Sequence, residues 1–477
     1  MAVGRAASVV ITVAATAVLA RMLAPEDFGL VAMVAVVTNF ARMFVDAGLA
    51  AATIQRQSLT RQQATNLFWI ATGLGLLIAA AVASLAPVVA LVYGEPRLTG
   101  ITLAMAVSFV FAGLTVQHQA LMRRVMQFGS LAGSQIVASI SGQAAALAWA
   151  WQYRGQPGGY WALALIPIVT ALVRMLTVWF LCGWRPGLPR RGAGTRSLLQ
   201  FGANLVGFNF ANYFARNADN LLLGWWWGPT VLGFYSRAYA LLMMPLQQIM
   251  PSFASVIVPM LSRLQGEPEK YRRAFIAAVR PMLWISIPAV GLLVAAARPA
   301  VLLYLGPQWE PVVPLFYALA PAAWANTFVS CSGWVFTSWG RTDRQLRWGV
   351  AHSIVILVTI ASTAPLGALT MAACLSVVFV LMRAPGFYYC FRGTPLEVRD
   401  LAGLIWRPTL AAGGAALAAQ AACRWLLVGE PLLGGLLLAT AVYAFTLLLI
   451  AGVTPGTIAD VMKIRSALDL RRPQPAD

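Results

Sequence analysis

Lysine is almost missing from this chain of 477 residues: Lys270 and Lys463 are the only two, and neither follows a glycine. A phosphate-cradling GxxxxGK(S/T) loop therefore cannot form, which excludes ATP hydrolysis through one. Histidine is as scarce. His118 and His352 stand far apart without an HExxH pattern or neighbouring cysteines, so a zinc site of the usual spacing is excluded. The five cysteines (Cys182, Cys331, Cys374, Cys390 and Cys423) contain no CxxC pair, and each lies in an apolar stretch, the setting of a small hydrophobe rather than a redox or metal ligand. Acidic residues number only 15, and charged residues of both signs make up 10% of the chain, against 60% hydrophobic residues and a mean hydropathy of +0.74. Lipid, not water, is the solvent of such a chain. Gaps long enough to fold as a soluble catalytic domain are also lacking, the longest being 185–197 and 263–273. Gly73-Leu74-Gly75 lies inside an apolar run with no third glycine following, so helix packing explains it better than a nucleotide does.

What is present is a series of apolar runs of about 20 residues, the length of a helix that crosses a bilayer core. They begin near Ala6, Leu30, Leu67, Ile101, Leu131, Tyr160, Leu198, Leu232, Phe275, Val312, Trp348, Leu366, Leu401 and Leu432. Lipid offers backbone groups no partners and no alternating strand pattern occurs, so the runs are expected to be helices. The first, Ala6 to Leu23, lacks a small-residue cleavage site and leads straight into Pro25-Glu26-Asp27, so it counts as a span rather than a leader. Basic residues alternate in step with the runs. Twenty-two of the 34 fall in gaps on one side, five (Arg21, Arg97, Arg154, Arg298 and Arg424) fall on the other, and seven lie within spans. Their balance places both termini in the cytoplasm. Trp149, Trp151, Tyr160, Trp161 and Trp225-Trp226-Trp227 then fall at the outer interface, where amphipathic rings favour the headgroup level. The basic surplus is thus a topology signal and not a nucleic-acid surface.

Leu23-Ala24-Pro25-Glu26-Asp27-Phe28-Gly29-Leu30 has an echo in Trp227-Gly228-Pro229-Thr230-Val231-Leu232-Gly233-Phe234, with proline and glycine at the same spacing. Leu91, Tyr93 and Pro96 are likewise answered by Leu302, Tyr304 and Pro307. Six spans separate the copies, an even number, so the repeats are expected to run parallel around an axis normal to the membrane. The fold expected is an all-α polytopic membrane protein of about fourteen spans, two pseudo-symmetric lobes around a central cationic cavity. An N-terminal lobe at 1–196 holds spans one to six, a C-terminal lobe at 197–392 spans seven to twelve, and 393–456 two further spans. At 457–477 the sequence allows either an amphipathic helix on the inner surface or a frayed end. Pro245, Pro251 and Pro259 in span eight are candidate kink points.

An ionised side chain at bilayer depth costs roughly 2.5 to 3.5 kcal/mol even on mild scales, so it usually faces a cavity or a partner. Asn39, Arg42 and Asp46 share one face of span two. Asn209, Asn212, Arg216 and Asn220 form a stripe in span seven with Asp219 beside it. Arg174 in span six and Arg237 in span eight, between Tyr235 and Tyr239, complete the set. Two readings stand for Arg42 and Arg216, a structural ion pair with Asp46 and Asp219 or contact with a ligand. For Arg280, Arg383 and Arg407, near span ends, snorkelling to headgroups competes with ligand contact. Only Asp46 and Asp219 oppose the seven arginines, a surplus of about five positive charges that calls for an anionic cargo. Guanidinium forks suit phosphate or pyrophosphate.

Several ordered motifs together resemble the polysaccharide-exporting flippases of the multidrug/oligosaccharidyl-lipid/polysaccharide superfamily. They are Leu23 to Leu30, Asp46-Ala47-Gly48-Leu49 leading to Ile54-Gln55-Arg56, Asn212-Tyr213 through Arg216 to Asp219-Asn220-Leu221-Leu222, Leu232 to Tyr239, and Leu305-Gly306-Pro307-Gln308-Trp309. The tryptophan run before Gly228 departs from the basic stretch often found in relatives. What the resemblance implies is twelve to fourteen helices, alternating access, and carriage of undecaprenyl-pyrophosphate-linked sugar repeat units across a bacterial inner membrane. On that expectation Arg42, Arg174 and Arg216 attract the pyrophosphate, while Asp46 and Asp219 hold them when the site is empty. The partners implied are the lipid-linked anionic oligosaccharide, membrane lipids, a polysaccharide polymerase and glycosyltransferases. No cofactor is expected beyond a coupling H+ or Na+. The rivals are a lipid II or drug transporter of the same superfamily, a membrane-embedded polymerase or ligase, and a noncatalytic scaffold. A drug exporter should prefer acidic cavities and an enzyme a large outer loop, and neither feature is in the chain.

Overall fold

The structure, a computed structural model, describes residues 2–46, 49–55, 59–190, 196–426 and 432–453, and the side chains at 2–6, 46, 51–52, 55, 196–212, 214–216, 425–426 and 451–453 lie outside that description. The tail expectation at 457–477 falls outside it as well. Helices and short 3-10 turns make up the regular structure, with no strand among the described residues. The chain is therefore an all-α polytopic membrane protein. Eleven described segments are long and apolar enough to cross a bilayer, Asn217–Arg263 counting as one. Each of the apolar runs named above falls on a helix.

Two compact units divide the chain, Met1–Ser236 and Arg237–Asp477. The first contains α1 (Ala2–Met22), α2 (Pro25–Asp46), α3 (Leu49–Gln55), α4 (Arg61–Tyr93), α5 (Arg97–Arg124), α6 (Phe128–Gln152), α7 (Tyr160–Cys182) and the first part of α8 (Arg196–Arg263). α8 is two helices, 196–227 and 229–263, joined at Gly228 with φ 74° and ψ −175°. Only glycine takes that conformation without strain. The break lies here rather than at Pro245, Pro251 or Pro259, through which the helix continues. The start of α4 is set locally. The Thr60 hydroxyl accepts from the Gln63 N–H at 3.2 Å while the Gln63 side chain accepts from the Thr60 N–H at 3.2 Å, a capping box. Gly94, at φ 65°, ends the helix.

With lipid outside and apolar side chains inside, helices in this unit gain little from hydrophobic burial and associate through close backbone approach. A Cβ on Gly75 would lie 2.7 Å from the Phe109 carbonyl oxygen, and one on Gly113 2.7 Å from that of Ala71, so α4 and α5 meet at a glycine pair. The GLG segment is thus a packing element at Gly75, while Gly73 meets nothing. The tightest crossing joins the two copies of the repeated motif. A Cβ on Gly29 would stand 1.7 Å from the Pro229 carbonyl oxygen, and one on Gly233 2.1 Å from the Pro25 carbonyl oxygen. The contact is reciprocal, each proline's carbonyl lying over the other copy's glycine. Pro229 and Gly233 are thus packed onto α2, inside the first unit, which ends at Ser236.

The second unit contains the rest of α8 with α9 (Pro268–Ala295), α10 (Ala297–Leu305), α11 (Val312–Ser338), α12 (Thr342–Thr363), α13 (Ala368–Leu381), α14 (Arg383–Phe391), α15 (Val398–Leu426) and α16 (Leu432–Val453). Its core is aromatic, with Tyr271, Phe275, Phe328, Phe336, Phe387 and Phe391 buried among Met282, Leu283, Leu401 and Leu404. The last two helices pack on α9 and α10. There Tyr443 donates its hydroxyl to the Pro288 carbonyl at 2.8 Å across the close approach at Gly291.

Substituting Gly29→Val forces the α2 and 229–263 backbones apart and is expected to destabilise the protein by about 1–3 kcal/mol or more, as overpacking does. Gly73→Ala, with open space for its methyl group, is expected to leave the thermal midpoint in detergent unchanged or slightly raised. Equal midpoints for the two variants would contradict the crossing.

Candidate functional site

α2 and α7 start side by side. A Cβ on Gly159, just before α7, would touch the Asp27 carboxylate at 2.9 Å, and Asp27 itself accepts from the Ala24 N–H at 3.0 Å. This end also carries a charged clamp, in which Arg97 bonds Glu95 at 2.7 Å and Glu26 at 2.5 Å. The guanidinium holds the Glu95 carboxyl below the usual carboxylate range. Trp151 and Trp225 to Trp227, expected at a headgroup level, are exposed.

From that common start α2 and α7 run in the same direction and are in contact. Arg42 lies 17 residues into α2 and Arg174 14 residues into α7, roughly 25 and 21 Å along the two helices, so both arginines sit toward the far end of the unit. Arg42 is exposed, with Asn39 exposed on the same helix face. Arg174 is half-buried. Its Nη2 donates to the Gln119 side-chain oxygen on α5 at 3.3 Å, and its buried Nε has no partner among the described residues. Arg123, one turn along α5, donates to the same Gln119 oxygen at 3.4 Å. Two guanidiniums therefore share one neutral acceptor, leaving positive charge that no described carboxylate offsets. Gln119 and Arg123 were not among the residues picked out by spacing. Arg123 falls near the end of α5, and the interval of four between it and Gln119 puts them on one helix face.

The helix 196–227 lies against α2. Tyr213 donates its hydroxyl to the Val36 carbonyl at 2.6 Å and packs its ring 5.4 Å from Phe40, one residue from Asn39. Its neighbours Asn209, Asn212 and Arg216, like Asp46 on α2, are candidates whose side chains fall outside the described residues. Asp219 is buried and fully engaged, accepting from the Tyr235 hydroxyl at 2.8 Å and from the Asn220 N–H at 2.8 Å. It thus ties together the two helices on either side of Gly228. Asn220 is half-buried, its side-chain oxygen unpartnered among the described residues. Arg237 belongs to the second unit. Of the expected set, the structure brings Asn39 and Arg42 onto one face of α2 and sets Arg174 in α7 packed beside it, and it gives Asp219 a structural partner in Tyr235.

A family model described as polysaccharide biosynthesis protein matches residues 18–314, more than half of the chain. The chain belongs to that family. Among curated relatives, the lipopolysaccharide biosynthesis protein WzxC of Escherichia coli (strain K12) is 26% identical over 349 residues, covering 72% of this chain and 69% of its own length. The teichuronic acid biosynthesis protein TuaB of Bacillus subtilis (strain 168) is 24% identical, with coverage of 65% and 64%. The succinoglycan biosynthesis transport protein ExoT of Rhizobium meliloti (strain 1021) is 25% identical, with coverage of 64% and 60%. The chain thus spans about two thirds of these relatives. Among solved structures, the lipid II flippase MurJ in an inward closed conformation superposes with a TM-score of 0.71 at 10% identity, over 93% of this chain and 97% of that one. An inward-facing multidrug resistance MATE family transporter of the MOP superfamily gives 0.63 at 15% identity, over 83% and 95%. The chain shares the fold of these two proteins.

Removing the Tyr235 hydroxyl leaves a buried carboxylate oxygen of Asp219 without a donor. Tyr235→Phe is expected to lower stability by about 1–3 kcal/mol, seen as a fall in the thermal unfolding midpoint with little change in helix content.

Proposed function

We propose that this chain is a flippase of a bacterial inner membrane, moving undecaprenyl-pyrophosphate-linked polysaccharide repeat units from the inner to the outer leaflet by alternating access. The observation that supports it most directly is the Arg174 site. A half-buried arginine within a span shares its acceptor with a second arginine and keeps an unpartnered buried Nε. Leaving such a group without an anion is costly at bilayer depth, so it is suited to a ligand that brings its own negative charge. Pyrophosphate supplies several oxygens for guanidinium forks and stays ionised at physiological pH. Arg42, exposed on α2, is the first contact for a headgroup arriving from the end of the unit where both arginines lie, and Arg174 is the deeper one. Arg216 is a further proposed contact. The lipid tails remain in the bilayer while the head crosses.

The excess of basic gaps orients this arginine-bearing end, and both termini, to the cytoplasm. The cargo's chemistry also implies its suppliers and users, glycosyltransferases that build the repeat unit on the lipid carrier and a polymerase that joins units outside. The names of WzxC, TuaB and ExoT support polysaccharide cargo over lipid II or drugs, which other members of the superfamily carry by name. Transport requires no chemical step on the cargo, and no catalytic role is assigned to any residue.

Replacing Arg174 or Arg42 by Gln is expected to lower the rate at which lipid-linked repeat units reach the outer leaflet by about tenfold or more, the loss of a charge-assisted pair. The measurement is leaflet-resolved labelling of lipid-linked sugar in vesicles containing the purified chain. Arg174→Lys, which keeps the charge but not the fork, should fall between the two. Undiminished flipping by both Gln variants would remove these arginines from the mechanism.

A further inference from the structure

The repeat gives Arg174 a counterpart in the second unit. Pro25 and Gly29 recur 204 residues on as Pro229 and Gly233, Tyr93 and Pro96 recur 211 residues on as Tyr304 and Pro307, and Arg383 lies 209 residues beyond Arg174. Each arginine stands at a similar place in its span, 14 residues past the start of α7 and 15 past the start of α13. The surroundings are duplicated as well. Beyond each arginine a cysteine donates its thiol to a carbonyl of an earlier helix, Cys182 to His118 on α5 at 3.8 Å and Cys390 to Ser332 on α11 at 3.5 Å.

Arg383 does not snorkel. α12 begins and α14 ends side by side, since the Arg341 and Arg344 guanidiniums both donate to the Arg392 carbonyl, at 2.8 and 3.0 Å. Arg383 lies eight residues short of Phe391 and His352 ten residues beyond Thr342, about 12 and 15 Å along their helices from that shared end. A side chain seeking the headgroups there would run toward it. Instead Arg383 Nε donates to the Phe379 carbonyl at 2.9 Å, one turn further away, and its Cζ sits 5.6 Å from the centre of the Phe379 ring. His352 reaches the same ring from α12, with 5.7 Å between ring centres, and is near enough to feel the Arg383 charge. Arg383 Nη2 and His352 Nε2 are both buried and have no hydrogen-bond partner among the described residues. Carboxylates are not at hand either. α11, α13 and α14 contain none, Asp343 at the start of α12 faces Arg347, and Asp400 on α15 holds Arg272.

A buried guanidinium edge and a buried imidazole nitrogen on one aromatic ring, with no anion supplied by the protein, suit a ligand that brings its own negative charge. Two linked phosphates offer oxygens to both donors at once. Ile354 and Leu381, close by on α12 and α13, are exposed apolar side chains that leave room for a lipid tail beside the headgroup. We propose that Arg383 and His352 form a second pyrophosphate site, the second unit's counterpart of the Arg174 site, which takes the lipid-linked pyrophosphate of the same cargo. This rests on the transport reading and extends it, giving each unit its own grip on the headgroup.

The test is native mass spectrometry of the full-length chain released from phosphatidylcholine nanodiscs that carry undecaprenyl pyrophosphate or, in a second arm, phosphatidylglycerol. The wild-type chain should retain up to two molecules of undecaprenyl pyrophosphate. Arg383→Gln should lower retention of one of them by about tenfold and leave the other, which Arg174→Gln removes. His352→Phe keeps a ring against Phe379 but loses the donor. It should weaken the same binding event by about threefold or more, and it decides the matter if Arg383→Gln does not fold. Full retention of both molecules by either folded variant overturns the proposal. So does an Arg383-dependent site that takes phosphatidylglycerol and not undecaprenyl pyrophosphate. Retention that depends on Arg383 but not on Arg174 upholds this site and counts against the Arg174 reading instead.

Discussion

Two helix backbones touch where Gly29 and Gly233 each lie beneath the other segment's proline carbonyl, and the arrangement of the first unit follows from that contact. No side chain separates the helices there, so the crossing point is fixed by main-chain atoms. The helix 196–227 is tied to both of them, to α2 where Tyr213 reaches the Val36 carbonyl and to 229–263 where Tyr235 reaches Asp219. Those hydrogen bonds demand a register to within a few tenths of an ångström, which a backbone contact can hold and a flexible side-chain contact cannot. Asn39 and Arg42 stand 10 and 13 residues beyond Gly29 on α2, about 15 and 20 Å along the helix. The position of the candidate site is thus inherited from a contact far from it.

Charge is handled in two ways. At helix ends the arginines are paired, Arg97 with Glu26 and Glu95, Arg298 with Glu310, and Arg272 with Asp400. These bonds link successive or neighbouring helices where water is close, and a pair of this kind is worth little on its own. Within the spans described carboxylates are scarce, and Asp219 is engaged by a tyrosine. Arg174 turns to the amide of Gln119 and Arg383 to the Phe379 carbonyl and ring. Neutral acceptors orient a guanidinium without cancelling its charge, so the field survives for an anion to use. An ion pair would have removed it.

Much of the architecture was legible in the chain because the bilayer imposes it. Runs near 20 residues can only be helices in lipid, and each of those named falls on one. The two proline–glycine motifs were visible as a repeat, but that they meet each other was not, since reciprocal contact depends on the path of everything between residues 30 and 228. The break at Gly228 was hidden among three prolines, the residues that ordinarily kink a helix. Asn39, Arg42 and Arg174 stood out as polar residues in apolar surroundings. Gln119 and Arg123 did not, because a residue near a span end looks like a loop residue until the neighbouring helix is in place. The direction of Arg383, toward the headgroups or away from them, was left open by spacing and is set by the carbonyl and ring of Phe379.

The sequence by itself determined the solvent, the helical class, the approximate spans and the excess of positive charge inside them. These are set by composition and by periodicity along a single chain, against a solvent whose thickness and polarity are known. Tertiary structure alone decided that two copies of one motif cross through glycine, that Arg174 and Arg123 share one amide oxygen, that Asp219 answers to Tyr235, and that Arg383 and His352 border one ring. Each of these joins residues on separate helices, and nothing in the spacing along one helix says which face of another it will meet.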